Sequence, residues 1–173
     1  TAVTGSVSGK VYLVQMGKQV DSRPLSGGPT QAITAVAISA SGKRIAAGYL
    51  GGGVYAWEEK KKAESKPLAD LGFGIAGLEF LPDEQTLVVA CDQSVRFYNT
   101  DDDSELASID LEGNALSLGL SPDGTVIAVG LTDGGVQLFD AETREARGSL
   151  AEKVSPTSLA FSPNGRLLAV GGS

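Results

Sequence analysis

A chain of 173 residues, 42% hydrophobic and 20% charged, can bury the core of one domain and is too apolar to be disordered. Its net charge of −7 argues against non-specific nucleic-acid binding, and no run approaches the roughly 18 apolar residues of a membrane-spanning helix. The one cysteine, Cys91, excludes an internal disulfide, and the lack of histidine excludes Ser-His-Asp triads, Cys-His pairs and histidine-ligated zinc.

Glycine, at 23 residues, has about twice its ordinary share, and this predicts many short strands joined by tight turns. The first strand signals are TAVTG (1–5), KVYLV (10–14) and the weaker KQVDSRPL (18–25). Next comes AVAISASGKRIAAG (35–48), then GVYAW (53–57) and ESKPLADL (64–71). The same order returns in GLEFLPDEQTLVVA (77–90), SVRFY (94–98) and ELASIDL (105–111). It returns again in SLGLSPDGTVIAVG (117–130), GVQLF (135–139) and REARGSL (144–150), and it opens once more in SLAFSPNGRLLAVG (158–171). The anchors Ile38, Phe80, Leu120 and Phe161 recur every 42, 40 and 41 residues. A period near 41 fits propeller blades and also all-helical repeats, so the content of the repeat decides.

That content is β. Each repeat opens on alternating apolar residues such as Val36/Ile38 and Leu159/Phe161, the period of a half-buried strand. Turns follow at Ala40-Ser41-Gly42, Pro82-Asp83-Glu84, Pro122-Asp123-Gly124 and Pro163-Asn164-Gly165, where Pro presets φ, Asp or Asn bonds back and Gly accepts positive φ. The near-continuous apolar runs RIAAG, TLVVA, TVIAVG and RLLAVGG suit a second strand buried on both faces. The expected fold is an all-β propeller of four-stranded antiparallel blades, strands a to d. Its parts are a partial blade at 1–25 (strands b, c and d), blades at 33–72, 75–112 and 115–151, and a partial blade at 156–173 (strands a and b). Gly5 precedes Val11 by six residues, as Gly48 precedes Val54, and this places Thr1–Gly5 as a second strand. Two arrangements are open: a segment of a larger propeller, or a small closed one with a strand displaced.

Several residues invite a chemical reading. Glu79 stands where the innermost strands otherwise carry Ala37, Gly119 and Ala160. It either binds a cation in the central channel or, as the cost of burying a lone charge favours, pairs with a neighbouring Arg or Lys or sits at the wet rim. Asp101-Asp102-Asp103 with Glu105 lacks calcium-loop spacing and reads as a solvated hairpin tip. The run EEKKKAESK (58–66) reads as a soluble turn, and Gly51-Gly52-Gly53 as a flexible hairpin without the Gly-Lys-Ser/Thr ending of a phosphate loop. Cys91 reads as an inert residue at the blade edge.

SPDGTVIAVG (121–130) followed by TDGGVQLFD (132–140) resembles the strand–turn–strand signature of the WD40 family of β-propellers. The aromatic-Asp ending is Phe139-Asp140, and elsewhere it is Trp57-Glu58, Tyr98-Asn99 and Val14-Gln15. The family's Gly-His pair is absent. The resemblance implies structural blade positions for Asp92 and Asp133, six residues before Tyr98 and Phe139, with Gly51 and Ser8 at the equivalent places and Trp57 as the tryptophan. It also implies that the b–c and d–a loops share one partner-binding face. Tyr49, Leu50 and Phe73 lie in those loops and form a candidate partner-binding patch; the other reading is that they cap the gap between blades.

The function this implies is a non-catalytic protein–protein interaction scaffold, with no cofactor, no metal, no nucleic acid and no membrane span. One alternative is a lactonase-like propeller enzyme with a channel metal held by Glu79 and Asn114, since such propellers share the SPDG turn. Another is an actin-interacting propeller that assists filament disassembly. Low cysteine content and no signal-peptide pattern set cytoplasmic residence as the expectation.

Overall fold

The computed structural model describes residues 1–17, 19–59, 66–151 and 155–173. Most of the run 58–66, and the first residues of the strands expected at 18–25 and 64–71, lie outside that set. The described residues form seventeen strands. The first sheet holds β1 (Ala2–Gly5), β2 (Val11–Met16) and β3 (Val20–Leu25). The second holds β4 (Ile33–Ile38), β5 (Arg44–Tyr49), β6 (Gly53–Glu58) and β7 (Lys66–Asp70). The third holds β8 (Ile75–Phe80), β9 (Thr86–Cys91), β10 (Ser94–Asn99) and β11 (Glu105–Asp110). The fourth holds β12 (Ala115–Leu120), β13 (Val126–Leu131), β14 (Gly135–Asp140) and β15 (Ala146–Ala151), and a hairpin of β16 (Pro156–Phe161) and β17 (Leu168–Gly172) follows. Sequence neighbours pair antiparallel throughout, as in the second sheet. The opening strands β4, β8, β12 and β16 lie side by side in succession, with β1 next to β4. These sheets are the blades of a β-propeller.

The core lies between the blades. One cluster joins Val11 and Leu13 to Ile45, Ala47, Tyr49 and Trp57. A second joins Ala46 and Val54 to Leu78, Leu87, Val89 and Cys91. A third joins Val88, Val95 and Phe97 to Ile127, Val129, Leu131 and Phe139. Successive residues of a second strand therefore enter opposite seams, which is why those runs are apolar without alternation. Size alternates instead. On β5 and β13 the residues facing the preceding blade are Ile45 and Tyr49, or Ile127 and Leu131. The residues facing the following blade are Ala46 and Gly48, or Ala128 and Gly130. A Cβ on Gly48 would lie 2.6 Å from Ile75, so the next blade already fills that space.

The a–b turns of the fourth blade and of the last hairpin share one construction. The Ser121 hydroxyl donates to Asp123 and accepts the Val126 N–H, and Ser162 does the same with Asn164 and Leu167. Gly42, Gly124 and Gly165 take positive φ in their a–b turns, and Glu84 takes their place in the third blade at φ 59°. Each a–b pair also carries a bulge near its start, between Ile33 and Ala35 in the second blade, between Ile75 and Gly77 in the third and between Ala115 and Ser117 in the fourth. The repeat pattern predicts the strands but not the bulges, because one extra residue leaves the apolar spacing of the rest of the strand intact.

Gly124 needs its missing side chain twice over. Its φ is +71°, and a Cβ there would overlap the Pro82 ring of the preceding blade. Gly72 also has φ +71° but nothing within 4 Å of the added Cβ. In urea denaturation, Gly72→Ala is expected to cost about 1 kcal/mol for the left-handed backbone alone, and Gly124→Ala about 1–3 kcal/mol more. Equal losses would mean that the proline contact adds nothing.

Candidate functional site

The b–c and d–a loops open on one face of the blades and are held by backbone bonds across and within the seams. Leu50 N–H donates to the Ala32 carbonyl at 2.9 Å, Leu71 N–H to Gly52 at 3.0 Å and Ala115 N–H to Asp92 at 2.7 Å. Gly52 is not simply flexible, as the triple glycine suggested. Its φ is +91°, and a Cβ would stand 2.5 Å from the Phe73 N. The glycine lets two loops touch, and it brings Leu50 and Phe73 onto adjoining turns. Both are exposed, at 63% and 53%.

Tyr49 does not join them. It is fully buried, packs edge-on against Tyr55 at 5.4 Å and lodges its hydroxyl against Gly28, near the Trp57 ring. The expected three-residue patch is thus corrected to two, and Tyr49 fills the seam between the first and second blades. Position 49 ends a second strand on its large-residue side, the place held by Cys91 and Leu131 in the next blades, and this explains its burial. The hydroxyl has no hydrogen-bond partner among the described residues, and burial, with Tyr55 beside it, pushes its pKa up to about 12. Tyr49→Phe is therefore expected to stabilise the fold by about 1 kcal/mol in thermal or urea unfolding. A loss of stability instead would reveal a partner for the hydroxyl.

The structural positions are dispersed through the blades. Trp57 is buried, and its indole N–H donates to the Ser26 carbonyl of the preceding blade at 2.8 Å. Tyr98 is buried with its hydroxyl 3.1 Å from Glu105, and burial followed by that carboxylate raises its pKa to about 12. Phe139 is buried in the third seam. Asp133 lies exposed over Gly113, in the loop before β12, and accepts the Gly135 N–H at 3.3 Å. Asp92 is exposed and turns the hairpin at φ 45°. Cys91 is buried, and burial raises its thiol pKa. Glu112, Asp133, Gln137 and Leu150 line a pocket of about 170 Å³ on the same face, which repeat alignment could not show because it gathers residues from two blades.

The opposite face behaves differently. Glu84 accepts the N–H and hydroxyl of Ser41 from the preceding blade, both at 2.6 Å. Arg44 reaches Thr100 at 2.7 Å and Asp101 at 2.6 Å. Asp101 is thus an inter-blade tie rather than a solvated tip, a role that no local signal marks because its partner is 57 residues away.

Of the two arrangements expected for Glu79, pairing with a cation or a place at the wet rim, the pairing is not seen among the described residues. It is partly buried in the middle of β8 and has no cation partner among the described residues. A Cβ on its counterpart Gly119 would lie 3.3 Å from Leu159 of the next blade, so this position of the repeat faces close packing. Desolvation alone pushes its pKa up to about 7. Asn114, its supposed co-ligand, is exposed in the loop before β12, and no metal-suited group of three or more His, Cys, Asp or Glu occurs among the described residues. Because the folded pKa lies above the unfolded value near 4.5, the folded state binds the extra proton. Glu79 therefore makes stability fall as pH rises from about 4.5 to 7, by at most on the order of 3 kcal/mol. Glu79→Gln is expected to flatten that part of a urea-midpoint profile against pH and to be the more stable form at pH 8. An unchanged slope would mean that the carboxyl is hydrated.

The family model described as WD domain, G-beta repeat matches residues 147–173, from the outer strand of the fourth blade through the last hairpin. Over 156 residues, 90% of the chain, the sequence is 27% identical to Telomerase protein component 1 of Rattus norvegicus, and it spans 6% of that relative's length. With its four-stranded antiparallel blades the chain is a β-propeller, and over residues 147–173 it is similar to the WD40 repeat. WD40 proteins typically bind other proteins and are generally non-catalytic.

Proposed function

We propose that the chain is a non-catalytic scaffold that holds partner proteins on its loop face, with Leu50 and Phe73 as the apolar contact. One observation carries this reading: two large apolar side chains stand exposed on adjoining loops whose backbones are fixed by the Gly52 approach. Exposed apolar pairs on rigid loops offer contact area at little ordering cost, and aromatic residues are enriched where binding energy concentrates. The relative's name as a component agrees in kind with service inside an assembly.

The test is the double variant Leu50→Ser/Phe73→Ser, compared with the parent chain in affinity capture and quantitative mass spectrometry. Neither side chain is in a seam, so circular dichroism and the unfolding midpoint are expected to stay unchanged. Capture of specific partners is expected to fall about tenfold, the effect of losing an apolar contact. Undiminished capture by a folded variant would sink this assignment of the site.

A further inference from the structure

The charges around Leu50 and Phe73 distinguish the loop face from the turn face. On the turn face the carboxylates that shape the turns are already engaged, while Asp21, Glu142 and Glu145 stand exposed with carboxylates that make no bond among the described residues. Asp83 accepts the Gln85 and Thr86 N–H groups, Asp123 the Thr125 N–H, and Asp140 the Thr143 N–H together with the Arg147 guanidinium. These bonds hold Asp140 down to about 2, with the Thr143 N–H and Arg147 as the main causes. On the loop face Asp70, Asp92, Asp110 and Glu112 are all exposed, and their carboxylates make no hydrogen bond or ion pair among the described residues. Lys10 is the one cation among the described residues of those loops.

Their placement is specific. Asp70 pairs in register with Gly53, beside the Leu50 hairpin. Asp92 follows Cys91, which pairs with Ile75, two residues after Phe73. The two carboxylates thus bracket the exposed apolar pair. One blade further on, Glu112 and Asp133 line the pocket that half-exposed Leu150 also lines. An apolar foothold beside a free carboxylate thus occurs twice on one face, at Asp70 and Asp92 and again at Glu112, while Asp133 is taken up by the Gly135 N–H.

We propose that this face takes an extended protein segment in which basic and apolar residues are interspersed. The apolar side chains sit on Leu50–Phe73 and in the Leu150 pocket, and the cations face Asp70, Asp92 and Glu112. The proposal rests on the loop-face reading above and names the chemistry of its partner. An acidic segment or a nucleic acid meets like charge here, and a purely basic segment leaves the apolar contacts unused.

The test uses fluorescence anisotropy with the full 173-residue chain and three labelled peptides of equal length. One is built of Arg, Leu and Ser, one of Glu, Leu and Ser, and one of Arg and Ser. The Arg/Leu/Ser peptide is expected to bind at least about tenfold tighter than the others, and to weaken about tenfold between roughly 50 and 500 mM salt. Asp70→Asn/Asp92→Asn/Glu112→Gln is expected to weaken it about tenfold. Asp21→Asn/Glu142→Gln/Glu145→Gln, which removes the same charge elsewhere, is expected to leave it within about twofold. No binding by any peptide, equal binding of the acidic peptide, or equal losses in both charge variants overturns the proposal. If Leu50→Ser/Phe73→Ser lowers protein capture while the loop-face charge variant does not, this proposal fails and the docking face stands. If neither lowers capture, the docking face fails as well.

Discussion

The structure depends on a second strand that must fit two neighbours at once. Each of β5, β9 and β13 is buried on both sides, so its residues belong alternately to the seam before it and the seam after it. Volume added on one side has to be given up on the other. The sequence answers with size alternation inside a uniformly apolar run: Ile45-Ala46-Ala47-Gly48-Tyr49, or Ile127-Ala128-Val129-Gly130-Leu131. β17 repeats the pattern as Leu168-Ala169-Val170-Gly171, and its small residues are exposed, with no sheet of the described residues packed on that side. Close packing makes these positions intolerant of extra volume.

That constraint explains which features were legible in the sequence and which were not. Strand number, order and approximate ends followed from the period and the turns, because a seam imposes the same residue types on every blade. GVQLF (135–139), for instance, falls within β14 (Gly135–Asp140). The run RIAAG ends at Gly48 and leaves Tyr49 to the loop, whereas the strand continues through position 49 with its large-residue side facing inward. Gly51-Gly52-Gly53 was misread for a related reason. Local chemistry reports freedom of φ, and only the fold reports that Phe73 lies against the backbone there. Arg44–Asp101 and the Glu112–Leu150 pocket unite residues from different parts of a repeat, and periodicity carries no information about such pairings.

The two ends of the blades divide the polar work unequally. Turns of the Ser-Pro-Asp-Gly kind consume their own carboxylates, since the Asp must accept backbone N–H groups for the turn to close. Ties between blades use up more, through Ser41–Glu84 and Arg44–Asp101. An exposed pair of that type contributes under about 1 kcal/mol, but it aligns the turns of successive blades. The b–c hairpins close on backbone bonds and glycine, as Gly52 and Gly134 do. The Asp92 carboxylate is not needed for closure and stays available, whereas Asp133 accepts the Gly135 N–H.

A face whose charges do not hold the fold can change its partner without changing its architecture. Leu50, Phe73, Asp70 and Asp92 are exposed and touch no seam cluster, so substitution there has little energetic consequence for the blades. Glu79 is the opposite case. It places a carboxyl on an innermost strand, where the other blades have Ala or Gly, and desolvation raises its pKa with no hydrogen bond or ion pair among the described residues. Residues of the first kind are constrained by what they bind, and those of the second by the seam. Two exposed apolar side chains among unpaired carboxylates are free of the seam's demands, and the proposed docking of a basic and apolar segment draws on that freedom.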